Sequence, residues 1–135
     1  MGQFIEIAKS KINESEDATE KFRSLIYMHF FQLSQDPNLA IVTQLELRQS
    51  NAELRRQINE VLKKYLHLID EVIHCGMEQG TFRRDLDPVL VRQMIFGTLD
   101  ECVTNWLLKE RKFDLVSSVD PVFKVFMNGL KREEK

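Results

Sequence analysis

The 135-residue sequence is poor in the residues that shape disulfide-bonded and loop-rich proteins. It contains two cysteines, Cys75 and Cys102, which lack CxxC spacing, so neither a disulfide framework nor a zinc site is indicated. Five glycines and three prolines leave long stretches of helix-forming residues uninterrupted. With 43% hydrophobic residues in a chain of this length, the composition favours one all-α domain with a single core.

An excess of charge of one sign and long apolar runs are also missing. The formal net charge is −2, and the Lys and Arg residues are interleaved with Asp and Glu. Because no basic stripe is available to neutralise phosphates, we expect this chain by itself to bind DNA poorly. Charges interrupt every apolar stretch before the roughly 20 residues that a membrane span needs, and the start lacks a signal-peptide pattern. We therefore expect a soluble, cytoplasmic protein that does not bind membranes.

Apolar residues at helical spacing, together with capping residues, predict six helices. Asp17, with Glu20 three residues later, has the pattern of a capping box for the second helix, and Gly80 closes the long fourth helix. Nothing before Gly2 caps the first helix, which is therefore predicted to be cut from a longer one. The predicted ranges are roughly 2–13, 17–36, 38–48, 51–79, 87–112 and 120 to the charged tail.

An aspartate followed by a proline opens three of these helices, at Asp36-Pro37, Asp87-Pro88 and Asp120-Pro121. Proline fits the first turn of a helix because its nitrogen has no hydrogen to donate, and the aspartate can accept from the free amides. We predict that each aspartate caps the helix that follows it.

The two C-terminal helices carry more apolar surface than one core is expected to cover. The fifth helix is apolar nearly all round, with Gly97 able to let another backbone come close, and the last helix bears Phe123, Phe126 and Leu130. The fourth helix carries two adjacent apolar stripes, which predict neighbours on several of its sides. We predict that the last two helices form a subunit interface and that the protein is a homodimer.

Several segments resemble a known group of regulators. The segment 80–88, GTFRRDLDP, followed by Phe96-Gly97, is similar to the junction before the dimerisation helix of TetR-family transcriptional regulators. The segments 38–51, NLAIVTQLELRQSN, and 92–98, RQMIFGT, and the start MGQFI, resemble the fatty-acid-degradation regulators of Gram-positive bacteria. The resemblance covers essentially the whole chain and implies an all-α, TetR-type C-terminal ligand-binding domain, with the last two helices forming a dimeric four-helix interface.

The resemblance also implies how the function is divided. In that family an N-terminal helix-turn-helix reads the operator, and the C-terminal domain binds long-chain acyl-CoA and thereby releases the DNA. We accordingly expect residues 1–135 to be a single sensing and dimerisation domain without a cofactor. It would reach DNA only through an N-terminal domain absent from this chain. Whether the chain is a fragment or a naturally shortened relative stays open at this stage.

An acyl-CoA ligand needs an apolar tunnel that ends in basic and hydrogen-bonding groups. Large apolar residues on the predicted inner helix faces are the tunnel candidates: Phe22, Ile26, Phe30, Leu62, Leu66, Met94, Leu99 and Trp106. The alternative for each of them is an ordinary core position. Met94 would supply an adaptable wall, because methionine is flexible and polarisable.

Polar residues within apolar helix faces are candidates for the thioester and the pantetheine amides, because a buried polar group without a partner costs about 1–3 kcal/mol. These candidates are Gln44, Thr98 and Asn105, and the alternative for each is a partner at a neighbouring helix end. Arg48 is the first candidate for the phosphates, since a guanidinium can bind phosphate bidentately. The second choices, which could equally be solvated surface charges, are Arg55, Arg83 and Arg84.

Signs of enzymatic chemistry are weak. Glu71 and His74 form a single Glu-x-x-His sequence, whereas a carboxylate-bridged iron site in a helical bundle needs two. His67 and His74 are separated by about 10.5 Å along a helix axis, too far to share a metal. We therefore predict that the protein is not an enzyme. The alternatives to an acyl-CoA sensor are a TetR-type domain for another hydrophobic effector, or a ligand-free oligomerisation module with a packed core and no tunnel.

Overall fold

Six α-helices and one short 3-10 helix form most of the chain described by the computed structural model, residues 2–47 and 52–131 without the side chains of 46, 47, 54, 55 and 57–59. The helices are α1 (Gly2–Ile12), α2 (Ala18–Gln35), α3 (Pro37–Leu47), α4 (Ala52–Glu78), α5 (Pro88–Leu108), the 3-10 helix (Leu115–Ser118) and α6 (Val119–Leu130). Within these residues the one extended pairing is an isolated bridge between Phe82 and Lys131. The all-α prediction and the order of the helices are confirmed.

Aspartates cap three helices as predicted. Asp17 caps α2, Asp36 caps α3 and Asp87 caps α5, each accepting from a backbone N–H two or three residues later at 3.1 to 3.3 Å. Pro88 is the first residue of α5, where its missing N–H has no helical partner to lose. These helix starts are therefore set by local chemistry.

The third aspartate–proline pair does not cap its helix, so this prediction is wrong. α6 begins at Val119, because the 3-10 helix runs directly into it and the Val119 amide bonds to the Val116 carbonyl. Asp114 caps the 3-10 helix instead, accepting from the Val116 amide at 3.1 Å. Asp120 lies in the first turn of α6 and pairs with Arg23 at the surface.

α5 ends at Leu108 rather than at the predicted residue 112. Glu110 and Arg111 have φ angles of 58° and 60°, in the left-handed region that a right-handed helix cannot include. The Arg111 amide donates to the Trp106 carbonyl at 2.9 Å, and the Trp106 indole N–H donates to the Phe113 carbonyl at 2.9 Å. These two bonds turn the chain back, which the charged, helix-forming residues 109–112 did not indicate.

α2 is the helix with the most neighbours in the described chain. It packs against α1, α3, α4, α5 and α6, and its side chains Phe22, Ile26 and Phe30 are fully buried. α4 packs against α1, α2, α3 and α5, which confirms the prediction of neighbours on several sides. α5 and α6 do not bring their backbones into contact with each other, and each packs on α2 and the 3-10 helix. α2 therefore joins the two C-terminal helices to the rest of the core.

The C-terminal end of α4 is fixed by a glycine, an aromatic ring and backbone bonds. A Cβ on Gly76 would lie 2.0 Å from the Phe82 ring, so the ring occupies the space that any side chain there would need. The Phe82 amide donates to the Gly76 carbonyl at 3.0 Å, and the Arg83 amide donates to the Leu130 carbonyl at 2.7 Å. Gly80, with φ of 76°, provides the left-handed turn predicted for it.

Phe22 of α2 completes this region. Its ring lies 5.9 Å, centroid to centroid, from each of three other rings, those of Phe82, Phe123 and Phe126. We call Phe22, Gly76, Phe82 and Leu130 the aromatic end of the molecule. It joins α2, α4 and α6 through apolar and backbone contacts.

Exposed apolar residues lie on several helices, including α3, and those on α5 and α6 bear on the predicted subunit interface. On α5, Leu90, Met94 and Leu108 share a face with Gly97. A Cβ added at Gly97 would meet no other atom within 4 Å. On α6, Val125 is exposed. None of the described helices has the length and apolarity to cross a membrane. The exposed faces lie where a subunit interface was predicted, and the interface itself stays a prediction.

Candidate effector-binding site

A small enclosed cavity lies among α1, α2, α3, α4 and α5. Its volume is about 10 Å³, at the lower limit for one water molecule. Its wall combines apolar and polar side chains: Phe4, His29, Leu33, Leu39, Thr43, Gln44, Tyr65, Phe96 and Asp100. We call Phe4, His29, Gln44 and Tyr65 the polar end of the molecule.

A buried histidine–tyrosine pair forms the polar centre of this wall. His29 Nδ1 lies 2.7 Å from the Tyr65 hydroxyl oxygen, and both residues are buried. Burial lowers the pKa of His29 to about 3, so the imidazole is neutral near pH 7. Burial also raises the pKa of Tyr65 above its ordinary value, so the hydroxyl keeps its proton. The pair is therefore a neutral hydrogen-bonded unit.

Aromatic rings surround this pair. Phe4 of α1 packs edge to face against His29 and Tyr65, with centroid distances of 5.7 and 5.8 Å. Phe96 of α5 lies 6.1 Å from Tyr65. These contacts hold the two polar rings in place from two further helices, since each ring is confined by neighbours on more than one side.

Of the predicted polar site residues, Gln44 lies at the cavity, whereas Thr98 and Asn105 do not. Gln44 is buried, and its Oε1 accepts a hydrogen bond from the Thr104 hydroxyl at 3.1 Å. Thr98 is half-buried and Asn105 is exposed, both on α5. Arg48 lies outside the described residues, and so does the side chain of Arg55.

The two other predicted arginines have partners in the described chain. Arg83 forms an ion pair with Asp85 at 2.8 Å, and Arg84 donates from Nε to the Met77 carbonyl at 3.0 Å. Both are tied to the turn that follows α4.

None of the predicted tunnel residues lines the cavity. Five are buried: Phe22, Ile26, Phe30, Leu99 and Trp106. Leu62 and Leu66 are half-buried, and Met94 is 55% exposed on the outer face of α5. A helix that is apolar all round gives no means of telling an inner face from an outer one, which is why Met94 was assigned to the interior.

His29 and Tyr65 were not among the predicted site residues, although a signal for His29 existed. It is a polar residue within the apolar face formed by Ile26, Phe30 and Leu33, the same kind of position that singled out Gln44. Tyr65 gave no such signal, because the large apolar ring of a tyrosine is an ordinary member of an apolar helix stripe such as that of α4.

Two wider grooves lined by described residues lie outside the core. The larger one, about 460 Å³, runs between α1 and α4 and carries charges of both signs, including Lys9, Lys63 and Glu71. His67 pairs with Glu71 at 3.2 Å on this surface. The described residues contain no group of three or more His, Cys, Asp or Glu side chains that could hold a metal ion.

The described chain is an all-helical domain with a buried polar centre. Residues 1–129 match the TetR-type family described as YsiA-like protein, C-terminal region. The chain belongs to this family, which confirms the TetR resemblance found in the sequence.

Similar proteins narrow the class to regulators of fatty acid metabolism. The chain is 49% identical over 130 residues to the fatty acid metabolism regulator protein of Bacillus subtilis, covering 96% of this chain and 67% of that protein. The fatty acid degradation regulator FadR from Bacillus halodurans is 55% identical, with a TM-score of 0.89 over 98% of this chain and 68% of that chain. The crystal structure of the transcriptional regulator FadR from Bacillus subtilis in complex with stearoyl-CoA also has a TM-score of 0.89, over 96% of this chain and 69% of that chain.

A more distant structure, the MbdR regulator from Azoarcus sp. CIB, shares the fold alone, with 16% identity and a TM-score of 0.71. These similar proteins are transcriptional regulators and not enzymes. The resemblance to the fatty-acid-degradation regulators is therefore confirmed.

Proposed function

We propose that this chain senses long-chain acyl-CoA as the effector domain of a transcriptional repressor of fatty acid degradation. The observation that carries the proposal is the 49% identity to the Bacillus subtilis fatty acid metabolism regulator over 96% of the chain. A solved relative at the same identity was crystallised with stearoyl-CoA. The cavity supports the proposal, because it places hydrogen-bonding groups inside an apolar interior, the combination that a thioester with a long tail needs.

The closed cavity sets a conformational requirement for binding. A space of about 10 Å³ cannot hold a long acyl chain, so a bound acyl-CoA has to separate side chains that now touch. A ligand shifts a conformational equilibrium only by as much as it prefers one state over the other. We therefore propose that the interior expands around the acyl tail when acyl-CoA binds.

The face of α2 that lines the cavity offers a path for the acyl tail. His29 and Leu33 line the cavity, and Phe22 and Ile26 precede them at helical spacing on the same face. All four side chains are buried. We propose that the tail extends along this face, and that Arg48 contacts the phosphates of the nucleotide.

A homodimer is part of this proposal. Leu90, Met94 and Leu108 form an exposed apolar face of α5 together with the open Gly97, and Val125 is exposed on α6. Burying such a surface against a second copy would remove it from water. The exposed position of Met94 on α5 suits contacts with the partner subunit better than contacts with the acyl tail.

DNA release would follow from the relative placement of the two subunits. In this proposal residues 1–135 act as one sensing and dimerisation domain, and an N-terminal helix-turn-helix domain that these residues do not include contacts the operator. Expansion of the interior around the acyl tail would favour one arrangement of the dimer and change the spacing of the DNA-binding parts.

Native mass spectrometry of the purified chain tests the proposal, first without ligand and then with stearoyl-CoA, stearate or CoA alone. We expect a dimer that takes up stearoyl-CoA and neither of the other two, because both the tail and the CoA part contribute contacts. A dimer indifferent to all three would contradict the acyl-CoA assignment and favour another hydrophobic effector.

A matched pair of variants tests the dimer separately. Val125→Asp places a charge on the proposed interface and should yield a monomer at micromolar concentration, because burying an unpaired charge is unfavourable. Ile7→Asp places the same charge on an exposed position of α1 and should leave the dimer intact. A wild-type monomer under these conditions would contradict the dimer.

A further inference from the structure

The ring of His29, in the wall of the cavity, has one nitrogen without a hydrogen-bond partner among the described residues. His29 Nε2 is fully buried and unpartnered, whereas Nδ1 of the same ring lies 2.7 Å from the Tyr65 hydroxyl. A buried polar atom without a partner is uncommon in folded proteins and calls for an explanation. Because this atom belongs to a residue of the cavity wall, a ligand group is one way to satisfy it.

The tautomer of His29 decides which kind of group that would be. If Nδ1 accepts from the Tyr65 hydroxyl, the hydroxyl proton is used and Nε2 carries a hydrogen. If Nδ1 donates instead, both Nε2 and the hydroxyl proton of Tyr65 lack a partner within the described chain. The first arrangement satisfies more groups, so we assign the ring hydrogen to Nε2. The histidine is then a hydrogen-bond donor that needs an acceptor.

We propose that His29, oriented by Tyr65, donates a hydrogen bond from Nε2 to the carbonyl oxygen of the bound acyl group. The inference rests on the proposed function and deepens it, because it names the atom of the ligand that this pair recognises. The apolar side chains of Phe4, Leu33 and Phe96 also line the cavity. With the carbonyl group at His29, these side chains would therefore contact the first carbons of the acyl tail. Tyr65 acts as a positioning residue, since it contacts His29 and selects its tautomer.

The chemistry of the wall favours a thioester carbonyl over the carboxylate of a free fatty acid. Burial keeps the His29 ring neutral by lowering its pKa to about 3, so the ring cannot neutralise a carboxylate. Moving a carboxylate into an enclosed apolar space without a cation is strongly unfavourable. A thioester carries no charge, and its carbonyl oxygen needs only a hydrogen-bond donor. Nε2–H of His29 supplies that donor.

A pair of ligands that differ in the carbonyl tests the inference. S-octadecyl-CoA is a thioether in which two hydrogens replace the carbonyl oxygen of stearoyl-CoA. We expect wild-type protein to bind the thioether about tenfold more weakly, because Nε2–H loses its acceptor. In His29→Phe this ratio of dissociation constants should fall to about one.

Tyr65→Phe separates positioning from direct contact. Without the hydroxyl, either tautomer of His29 is available, so the preference for stearoyl-CoA over the thioether should decrease without disappearing. The nitrogen-15 chemical shifts of His29 should move from the Nε2–H pattern toward a mixture of tautomers. A merely structural role of Tyr65 would leave both the ligand ratio and these shifts unchanged.

Two control variants carry the same side-chain changes elsewhere. His74→Phe alters an exposed histidine of α4, and Tyr27→Phe alters a tyrosine that stacks on Phe31 away from the cavity. Both should keep the wild-type ratio. If His29→Phe fails to fold, the infrared carbonyl band of carbon-13-labelled stearoyl-CoA on the wild type still tests the inference. Hydrogen bonding should shift this band to lower frequency.

The outcomes separate this inference from the function on which it rests. Tight binding of stearoyl-CoA with an equal affinity for the thioether would overturn the role of His29 and leave the sensor proposal standing. Binding of stearate that His29→Phe weakens as much as stearoyl-CoA would overturn the assignment to a thioester. Failure of the wild type to bind any of the three ligands would overturn the proposed function itself.

Discussion

The two ends of the α2–α4 pair are built from different kinds of contact. At the aromatic end, Phe22 and Phe82 pack edge to face, and the Phe82 ring fills the space beside Gly76. At the polar end, the side chains of His29 and Tyr65 share a hydrogen bond through Nδ1, and Nε2 of the histidine has no partner among the described residues. The first region is held by close apolar packing, whereas the second has a group that a ligand can satisfy.

This difference suggests that the two ends serve separate purposes. Closely packed apolar side chains lose contacts when they are forced apart, so an acyl tail that reaches Phe22 has to replace the contacts that it displaces. A buried donor without a partner lowers the free energy of unfolding by its desolvation penalty. A ligand that supplies an acceptor removes this penalty. We therefore expect the aromatic end to determine stability and the polar end to determine ligand preference.

The largest effect should come from removing the central ring of the aromatic end. Phe22→Ala should lower the free energy of unfolding by about 3–5 kcal/mol, because it leaves a cavity among three other rings. Urea denaturation monitored by circular dichroism measures this change. Ile7→Ala, at an exposed position of α1, should change it by no more than about 0.5 kcal/mol. Equal losses of unfolding free energy in the two variants would contradict the expectation that the aromatic end determines stability.

Acid should weaken the polar end. The pKa of His29 is lowered from 6.5 to about 3, so between these values the unfolded state binds a proton that the folded state does not. The contribution of this group to stability is therefore full above pH 6.5. It is lost as the pH falls toward 3, by about 1.4 kcal/mol per pH unit.

The stability difference between wild type and His29→Gln isolates this effect. It should be constant at about pH 7 to 8 and should fall, to the disadvantage of the wild type, from about pH 6 to 4. The other titratable groups of the cavity wall, Tyr65 and Asp100, are present in both proteins. His74→Gln, at an exposed position of α4, controls for the side-chain change itself. A flat profile for His29→Gln would show that this ring is not buried in the neutral form.

A smaller effect should come from adding one methyl group at the aromatic end. Gly76→Ala places a Cβ 2.0 Å from the Phe82 ring, and the displacement should cost about 1–3 kcal/mol. Gly129→Ala in α6 meets nothing within 4 Å and should be neutral or slightly stabilising, because alanine favours helix. Thermal unfolding of the two variants checks the contrast. A stabilised Gly76→Ala protein would mean that Phe82 can move aside.

Much of the fold could be predicted, because its signals act within one helical turn. The caps at Asp17, Asp36 and Asp87 bond to amides two or three residues away. Asp120 has the same sequence signal as Asp36 and Asp87, but the chain before it is already turning in a 3-10 helix. Local chemistry therefore identified the helix starts, except where the cap of an earlier turn at Asp114 had already begun the helical path.

The candidate site was predictable only in part. Gln44 was found because a polar residue in an apolar segment is informative from the sequence alone. Met94 was misplaced in the interior, because α5 has apolar residues on both its inner and its outer face. Tyr65 was missed because its partner, His29, lies 36 residues earlier on another helix.

The sequence by itself determined the all-helical class and most helix boundaries, because composition, periodicity and capping are local properties that survive without a fold. It determined the family through segments that resemble known regulators. Tertiary structure decided that α2 rather than α4 has the most neighbours, where the chain reverses after Leu108, and that His29 meets Tyr65. Such pairings depend on which helix faces meet in the packed core, and burial then changes their chemistry. A histidine with an ordinary pKa in the unfolded chain becomes a neutral donor in the folded one.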